Sequence, residues 1–352
     1  MARIILLNLG STSSKGAVYE DLHCLDEFTL RHSAEELKPF KRIIEQVDFR
    51  QACVEAWLSE HQYRLEQMDV FCVRGGLVKP LPSGTYEVTD EIVDEVMVDK
   101  YGAHSSSIGM VIGRRWAKTY QKPAIFANAP ITDELQEVAR FTGLKGVYRR
   151  SLFHALNQKQ IALEYAKSVN KSVNELNLIV CHLGGGFSVG AHRKGKVVDV
   201  SNALDGEGPF SPERAGALSN FIVLDLVEQM QDIPAIKRIL GGKSGLISHL
   251  GTNSMMDALK MAETDAYAKQ VIDAMIYQIT KEVGSMAAVL EGKVDQILIT
   301  GGLAYNQNFV QRIMNKLTWI QNVSVYPGED ELFALASAAV RFINHEEEPG
   351  FY

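Results

Sequence analysis

The chain has 352 residues, 46% of them hydrophobic and 22% charged, the make-up of a globular protein with a real core rather than a disordered, collagen-like or fibrous one. Its formal net charge is −7, so no global field favours nucleic acid or an anionic membrane, and a small anionic ligand would need a local basic pocket. The length suits two domains better than one.

From Arg3 the sequence runs Ile-Ile-Leu-Leu-Asn-Leu, then Gly10-Ser-Thr-Ser-Ser-Lys15-Gly16, then Ala-Val-Tyr: a buried strand, a small polar turn and a returning strand. A second buried strand is expected at Val70 to Val73, ahead of Arg74-Gly-Gly-Leu. Helical spacing covers Ser107 to Tyr120, Asp133 to Thr142 and Phe153 to Ser168, the last with Phe153, Leu156, Ile161 and Tyr165 on one side. The best domain boundary lies near Gly146 to Arg150, which divides the chain into 1–148 and 149–330. Asn177 to Val200 then repeats the opening plan: strand Leu178 to Leu183, turn Gly184-Gly-Gly186, return Phe187 to His192, and a second turn into Val197 to Val200. Helices at Tyr267 to Leu290 and Asn308 to Leu317 flank a buried strand at Gln296 to Thr300. The last helix runs from Glu331 through Asn344, with Leu332, Leu335, Ala336, Ala339, Val340 and Ile343 as its apolar stripe. Strands alternating with helices make the class α/β, and the repeated strand-turn-strand unit points to a duplicated domain.

The longest apolar runs, such as Ile4 to Leu7 and Asn177 to Cys181, fall far short of the roughly 20 residues of a membrane span, and no leader pattern opens the chain. The expected location is the cytoplasm, with neither membrane nor nucleic acid as partner. Cys24, Cys53, Cys72 and Cys181 are widely spaced without a Cys-x-x-Cys pair, which argues for buried free thiols over zinc or redox chemistry.

Three glycine-bearing turns carry candidate chemistry. Ser11, Thr12, Ser13 and Lys15 put hydroxyls, amides and one ammonium at a tight turn, which suits either a phosphate cradle or an ordinary Ser/Thr-rich hairpin. Gly184, Gly185 and Gly186 allow close backbone approach beside His182, and the recurrence of such a turn favours phosphate. Gly301 and Gly302 follow a strand and precede a helix, a place equally suited to a ligand and to simple packing. Neither standard phosphate motif is present: Gly241-Gly-Lys-Ser244 has Lys237 where a P-loop needs its first glycine. The loop Ala203-Leu-Asp-Gly-Glu-Gly-Pro-Phe-Ser-Pro-Glu213-Arg214 lacks apolar periodicity; Arg214 there suits either a transferring phosphoryl group or a structural Arg–Glu pair. Arg74, at a strand end, is either a carboxylate clamp or a strand-end charge.

Taken in order, Asn8-Leu-Gly-Ser-Thr-Ser-Ser-Lys15, Arg74-Gly-Gly-Leu, Arg149-Arg-Ser-Leu-Phe-His154-Ala-Leu-Asn-Gln-Lys159, His182-Leu-Gly-Gly-Gly186, Asn202 to Arg214, Thr300-Gly-Gly-Leu-Ala-Tyr305 and Tyr326-Pro-Gly-Glu-Asp-Glu331 resemble the acetate and butyrate kinase family of the sugar kinase and actin superfamily. The resemblance covers nearly the whole chain. It implies two duplicated ribonuclease H-like (actin-like ATPase) domains with an interdomain cleft, the C-terminal segment 331–352 returning to complete the first. The implied activity is reversible phosphoryl transfer from ATP to a short-chain fatty acid, giving acyl phosphate and ADP, with Mg2+. Carried over by position, Asn8 and Glu331 would place the magnesium, Arg74 would hold the carboxylate, His182 and Arg214 would stabilise the phosphoryl group, and Gly301 and Gly302 would line the nucleotide site. The expected assembly is a homodimer or higher homo-oligomer.

The chain departs from the family where Asn128-Ala129 replaces an aspartate-bearing pair, and where Asn253-Ser254-Met255-Met256 replaces Asn-Asp-x-Arg. A fatty acid, with a pKa of about 4–5 by comparison with Glu, is ionised at neutral pH and needs no general base, so Asn128 bears on metal positioning more than on the nucleophile. Ser254 and Met256 bear on the nucleotide. The departures also motivate a second expectation, a weak or inactive relative that binds nucleotide or acyl phosphate as a sensor; a sugar kinase fits less well, because an alcohol needs a base.

Overall fold

The computed structural model describes residues 1–202 and 204–352; Ala203, at the head of the loop singled out above, lies outside the described residues. The chain divides into two units, one of Met1–Thr132 with Asp330–Tyr352, the other of Asp133–Glu329.

The first unit is built on a sheet of β1 (Arg3–Leu9), β2 (Ser13–Glu20), β3 (His23–Arg31), β4 (Val70–Arg74), β5 (Thr85–Glu87) and β6 (Ala124–Ala127), in the order β3-β2-β1-β4-β6-β5. β1, β2 and β3 pair antiparallel, β1, β4 and β6 pair parallel, and β5 closes the edge antiparallel. Ile4 to Leu7 are fully covered because β1 is central and helices lie on both faces of the sheet. Val73 packs against Gly113 of the helix Ser106–Tyr120, while its neighbour Cys72, facing the other way, gives its thiol to the Leu335 carbonyl of the helix Glu331–Ile343.

The second unit repeats that plan with β7 (Asn177–Leu183), β8 (Phe187–Arg193), β9 (Lys196–Val200), β10 (Gln296–Gly301) and β11 (Val323–Pro327), in the order β11-β10-β7-β8-β9. Again the first strand is central, the next two pair antiparallel and the last two parallel. Ile179, Cys181 and Leu183 pack with the helix Ala266–Val289, and the alternate residues Leu178 and Val180 with Ile161 and Ala162 of the helix Ala155–Ser168. Two sheets of one topology make the duplication visible.

Three expectations need correction. Residues 133–148 belong to the second unit, not the first. Glu134 pairs with Lys159 and accepts from the Val197 amide at 2.8 Å, and the Gln136 amide donates to Val198 O at 2.9 Å, so this segment is tied to β9. The backbone bond holds Gln136 extended, at ψ 149°, and the helix expected over Asp133 to Thr142 is a single turn, Glu137–Arg140. Of the four free cysteines, Cys72 and Cys181 are buried but Cys24 and Cys53 only half so. Among the described residues no helix is long and apolar enough to cross a membrane.

Candidate active site

In the first unit the β1–β2 turn is shorter than the sequence suggests: Ser13 to Lys15 already belong to β2. Lys15 sits opposite Asn8 in the ladder, which sends both side chains off the same face. The turn is held from below by Arg50, which is 0% exposed. Its guanidinium donates to the carbonyls of Gly10, Ser11 and Ser13 at 2.7–2.8 Å, and the His32 amide takes the Thr12 carbonyl at 2.9 Å. In a trans peptide the N–H opposes the C=O, so carbonyls drawn inward aim the amides of Ser11, Thr12 and Ser13 the other way, a nest suited to an anion. Arg50 escaped the sequence reading, although a signal exists: it shares the buried spacing of Val47, Val54 and Leu58 on the helix Val47–Glu60, where an arginine is out of place.

Asn8, Arg74 and Glu331 come together. Asn8 Nδ2 donates to Glu331 Oε2 at 2.6 Å, and Arg74 Nη2 meets Oε1 at 2.9 Å, which leaves Nη1 with a 3.5 Å contact to Ser106 Oγ. One carboxylate and one amide oxygen form the small hard-oxygen set that suits magnesium when its other ligands are water and phosphate. Among the described residues no group of three or more His, Cys, Asp or Glu could hold a metal alone. Asn128 is engaged elsewhere: it takes the left-handed conformation at φ 43°, and its Oδ1 accepts from Ser83 Oγ at 2.8 Å and Gly84 N at 3.1 Å.

His104 also adjoins Arg74. Burial, and secondarily the Arg74 charge, push it down to about 4, and its Nδ1 accepts from the Ser106 amide at 3.2 Å, as a neutral ring should. Since its folded value lies below the unfolded one near 6.5, the unfolded chain binds the extra proton first, and stability falls as pH drops from 6.5 toward 4. His104→Gln is expected to flatten that loss, by up to about 3 kcal/mol at full titration. Urea unfolding of both proteins at pH 7 and pH 4.5 checks it; equal losses would remove His104 as the cause.

In the second unit the glycine triplet accommodates side chains. A Cβ on Gly184 would lie 2.6 Å from Glu329 Oε1, one on Gly185 3.1 Å from the Glu213 carboxyl carbon, and one on Gly186 2.4 Å from Arg214 Nη1. Arg214 therefore lays its guanidinium against the Gly186 backbone. Burial lowers it from the usual arginine value, with Glu213 acting the other way, yet an arginine stays charged. Ser211 Oγ donates to Gly185 O at 2.6 Å and fastens the loop to the turn. His182, near the end of β7, meets Asn157 Oδ1 through Nδ1 at 2.8 Å and Glu329 Oε1 through Nε2 at 3.1 Å, and stacks on His154 with ring centroids 3.7 Å apart. Gly301, at φ 93°, exchanges two 3.1 Å backbone bonds with Gly328, while Gly302 opens onto free space. Asn253 Nδ2 donates to Glu213 at 3.0 Å, and Ser254 caps the helix Met255–Met261, burying Met255 and leaving Met256 74% exposed.

The second cluster thus joins His182, Gly184 to Gly186 and Arg214 through four residues that the sequence did not mark as site residues: His154, Asn157, Glu213 and Glu329. All four lie within the motifs named above, and for His154 and Asn157 a three-residue spacing at the start of a helix was the available signal.

The model of the acetokinase family matches residues 124–325. A protein of Enterococcus faecalis named probable butyrate kinase is 42% identical over 350 residues, 99% of this chain and 97% of its own. The chain belongs to the acetokinase family. A Clostridium botulinum relative, also named probable butyrate kinase, is 43% identical over 353 residues, 99% of each chain. Among solved structures, acetate kinase of Porphyromonas gingivalis aligns over 97% of this chain and all of its own at a TM-score of 0.78 with 19% identity. A propionate kinase of Francisella tularensis aligns over 96% and 99% at 0.74, also with 19% identity. These likenesses establish the actin-like ATPase fold for this acetokinase-family chain, and membership makes it a carboxylate kinase by class.

Proposed function

We propose that the chain transfers the γ-phosphoryl group of ATP to butyrate or a similar short or branched fatty acid, reversibly, giving an acyl phosphate and ADP. The observation that carries the reading is Arg214: a half-buried guanidinium, lying on a glycine, with no carboxylate within ion-pair distance among the described residues. Such a charge suits a phosphoryl group that gains negative character only in flight. The butyrate preference rests on relatives 42% and 43% identical over the whole chain.

In this reading the ionised acid attacks phosphorus without a general base, and the bond to the bridging oxygen breaks to leave ADP. Arg74 Nη1 orients the carboxylate while Nη2 stays on Glu331. Arg214 meets the equatorial oxygens, and His182 Nε2 joins it by exchanging its contact to Glu329 Oε1 for one to the phosphoryl group. The amides of Ser11 to Ser13, with Lys15, hold phosphate, and Gly301 and Gly302 line the nucleotide site. Asn8 and Glu331 would hold Mg2+, which when bound neutralises phosphate charge.

A coupled assay with ATP, Mg2+ and C2 to C6 acids, linear and branched, tests the function. Arg74→Ala is expected to raise KM for the acid about tenfold or more while KM for ATP stays within about twofold, because a ground-state clamp serves one substrate. An unchanged acid KM would move the acyl site elsewhere. A wild type that binds nucleotide but turns over none of the acids would replace the kinase with the sensor that Asn128, Ser254 and Met256 motivate.

A further inference from the structure

Beneath the stacked histidines runs a line of buried polar groups that the proposed chemistry leaves without a task. Ser188, Gly190 and His192 share one face of β8, turned toward the helix Ala155–Ser168. Gly190 has no side chain to block Gln158, whose Oε1 would lie 2.6 Å from a Cβ there. Gln158 thus reaches both strand neighbours. Its Nε2 donates to Ser188 O at 3.1 Å and to Ser188 Oγ at 2.9 Å, and its Oε1 meets His192 Nε2 at 3.0 Å. Ser188 Oγ in turn lies 2.8 Å from His154 Nδ1. Gln158, Ser188 and His192 are all completely buried.

The hydrogens on this line can be ordered. A backbone carbonyl only accepts, so the Gln158 contact to Ser188 O fixes which end of the amide is NH2. Oε1 then requires the His192 hydrogen on Nε2. That agrees with a His192 Nδ1 that is buried without a partner, and with burial and the nearby Lys159 charge pushing His192 far below its ordinary value. Ser188 Oγ receives a hydrogen from Gln158, and its own hydroxyl hydrogen then points to His154 Nδ1, which must be bare. The reverse arrangement, with the hydrogen on Nδ1, would leave the Ser188 hydroxyl hydrogen buried and unspent.

We propose that His192, Gln158 and Ser188 are positioning residues that lock neutral His154 into the tautomer with its hydrogen on Nε2. Resting on the phosphoryl-transfer reading above, the lock keeps the ring on which His182 stacks uncharged and fixed in place beside the group in transfer.

The test uses the full chain with 15N-histidine, read by long-range nitrogen–proton correlation and assigned by the resonance lost in His154→Gln. Wild type should show His154 with a bare, hydrogen-bonded Nδ1 and a protonated Nε2. In Ser188→Ala the Nδ1 resonance should move to the position of an unbonded nitrogen, with kcat down about tenfold and KM little changed. Ser188→Thr, which keeps the hydroxyl, should restore both. Gln158→Glu replaces the donor by an acceptor that can take the Ser188 hydrogen, and should shift His154 toward a protonated Nδ1, with kcat down about 10². A wild-type Nδ1 that carries the hydrogen, or an Nδ1 resonance unmoved in Ser188→Ala, overturns the proposal. The spectra need no turnover, so an inactive chain with the expected tautomer would remove the kinase reading alone, and an active one with the opposite tautomer would remove the lock alone.

Discussion

Arg214→Ala is expected to lower kcat by about 10³ while nucleotide affinity stays within a few fold, because a charge that meets its partner only in the transition state lowers the barrier rather than the ground state. The loop should survive the change. It is held by backbone and serine contacts, Ser211 N to Arg214 O at 3.1 Å, Arg214 N to Ser211 Oγ at 3.2 Å and Ser211 Oγ to Gly185 O at 2.6 Å, none of which uses the guanidinium. Steady-state kinetics with butyrate, beside equilibrium binding of ADP, measures the split. A variant with near-normal kcat would remove Arg214 from the reaction, and one that loses ADP binding in proportion would make it a ground-state nucleotide ligand.

Gly301→Ala is expected to destabilise the protein by about 3–5 kcal/mol, chiefly through the second unit. A Cβ at that position would stand 2.4 Å from the Leu183 carbonyl oxygen and 2.7 Å from the Leu183 nitrogen. Leu183 ends β7, the central strand, so neither atom can yield without breaking the β7–β10 ladder. The backbone adds its own penalty, since φ is 93°. Gly302→Ala is the control: nothing lies near its Cβ and it is exposed, so a change of no more than about 1 kcal/mol is expected. Denaturant unfolding of both variants decides it, and equal losses would refute the steric account.

Arg74, at a strand end, and Arg214, in a loop without apolar periodicity, could be picked out as candidates because arginines in such places have few structural uses. Arg50 was not, since one charge on an otherwise regular helix shows its purpose only when the carbonyls of Gly10, Ser11 and Ser13 are seen around it. Glu329 lies in the same motif as the anticipated Glu331, yet its partner cannot be read there; it meets His182 because β11 pairs parallel to β10, which lies beside β7.

By itself the sequence determined the α/β class, the duplicated strand-turn-strand unit and most of the long elements, because apolar periodicity and turn residues act within a few positions of one another. It determined the family too, through ordered motifs. Only the tertiary structure decided that residues 133–148 join the second unit, that the glycine triplet makes room for Glu329, Glu213 and Arg214, and that Gln158 and Ser188 link His192 to His154. Those outcomes depend on which strands become neighbours and on which buried polar atoms are then left to satisfy one another. Such a condition spans the whole sheet and is written in no single segment.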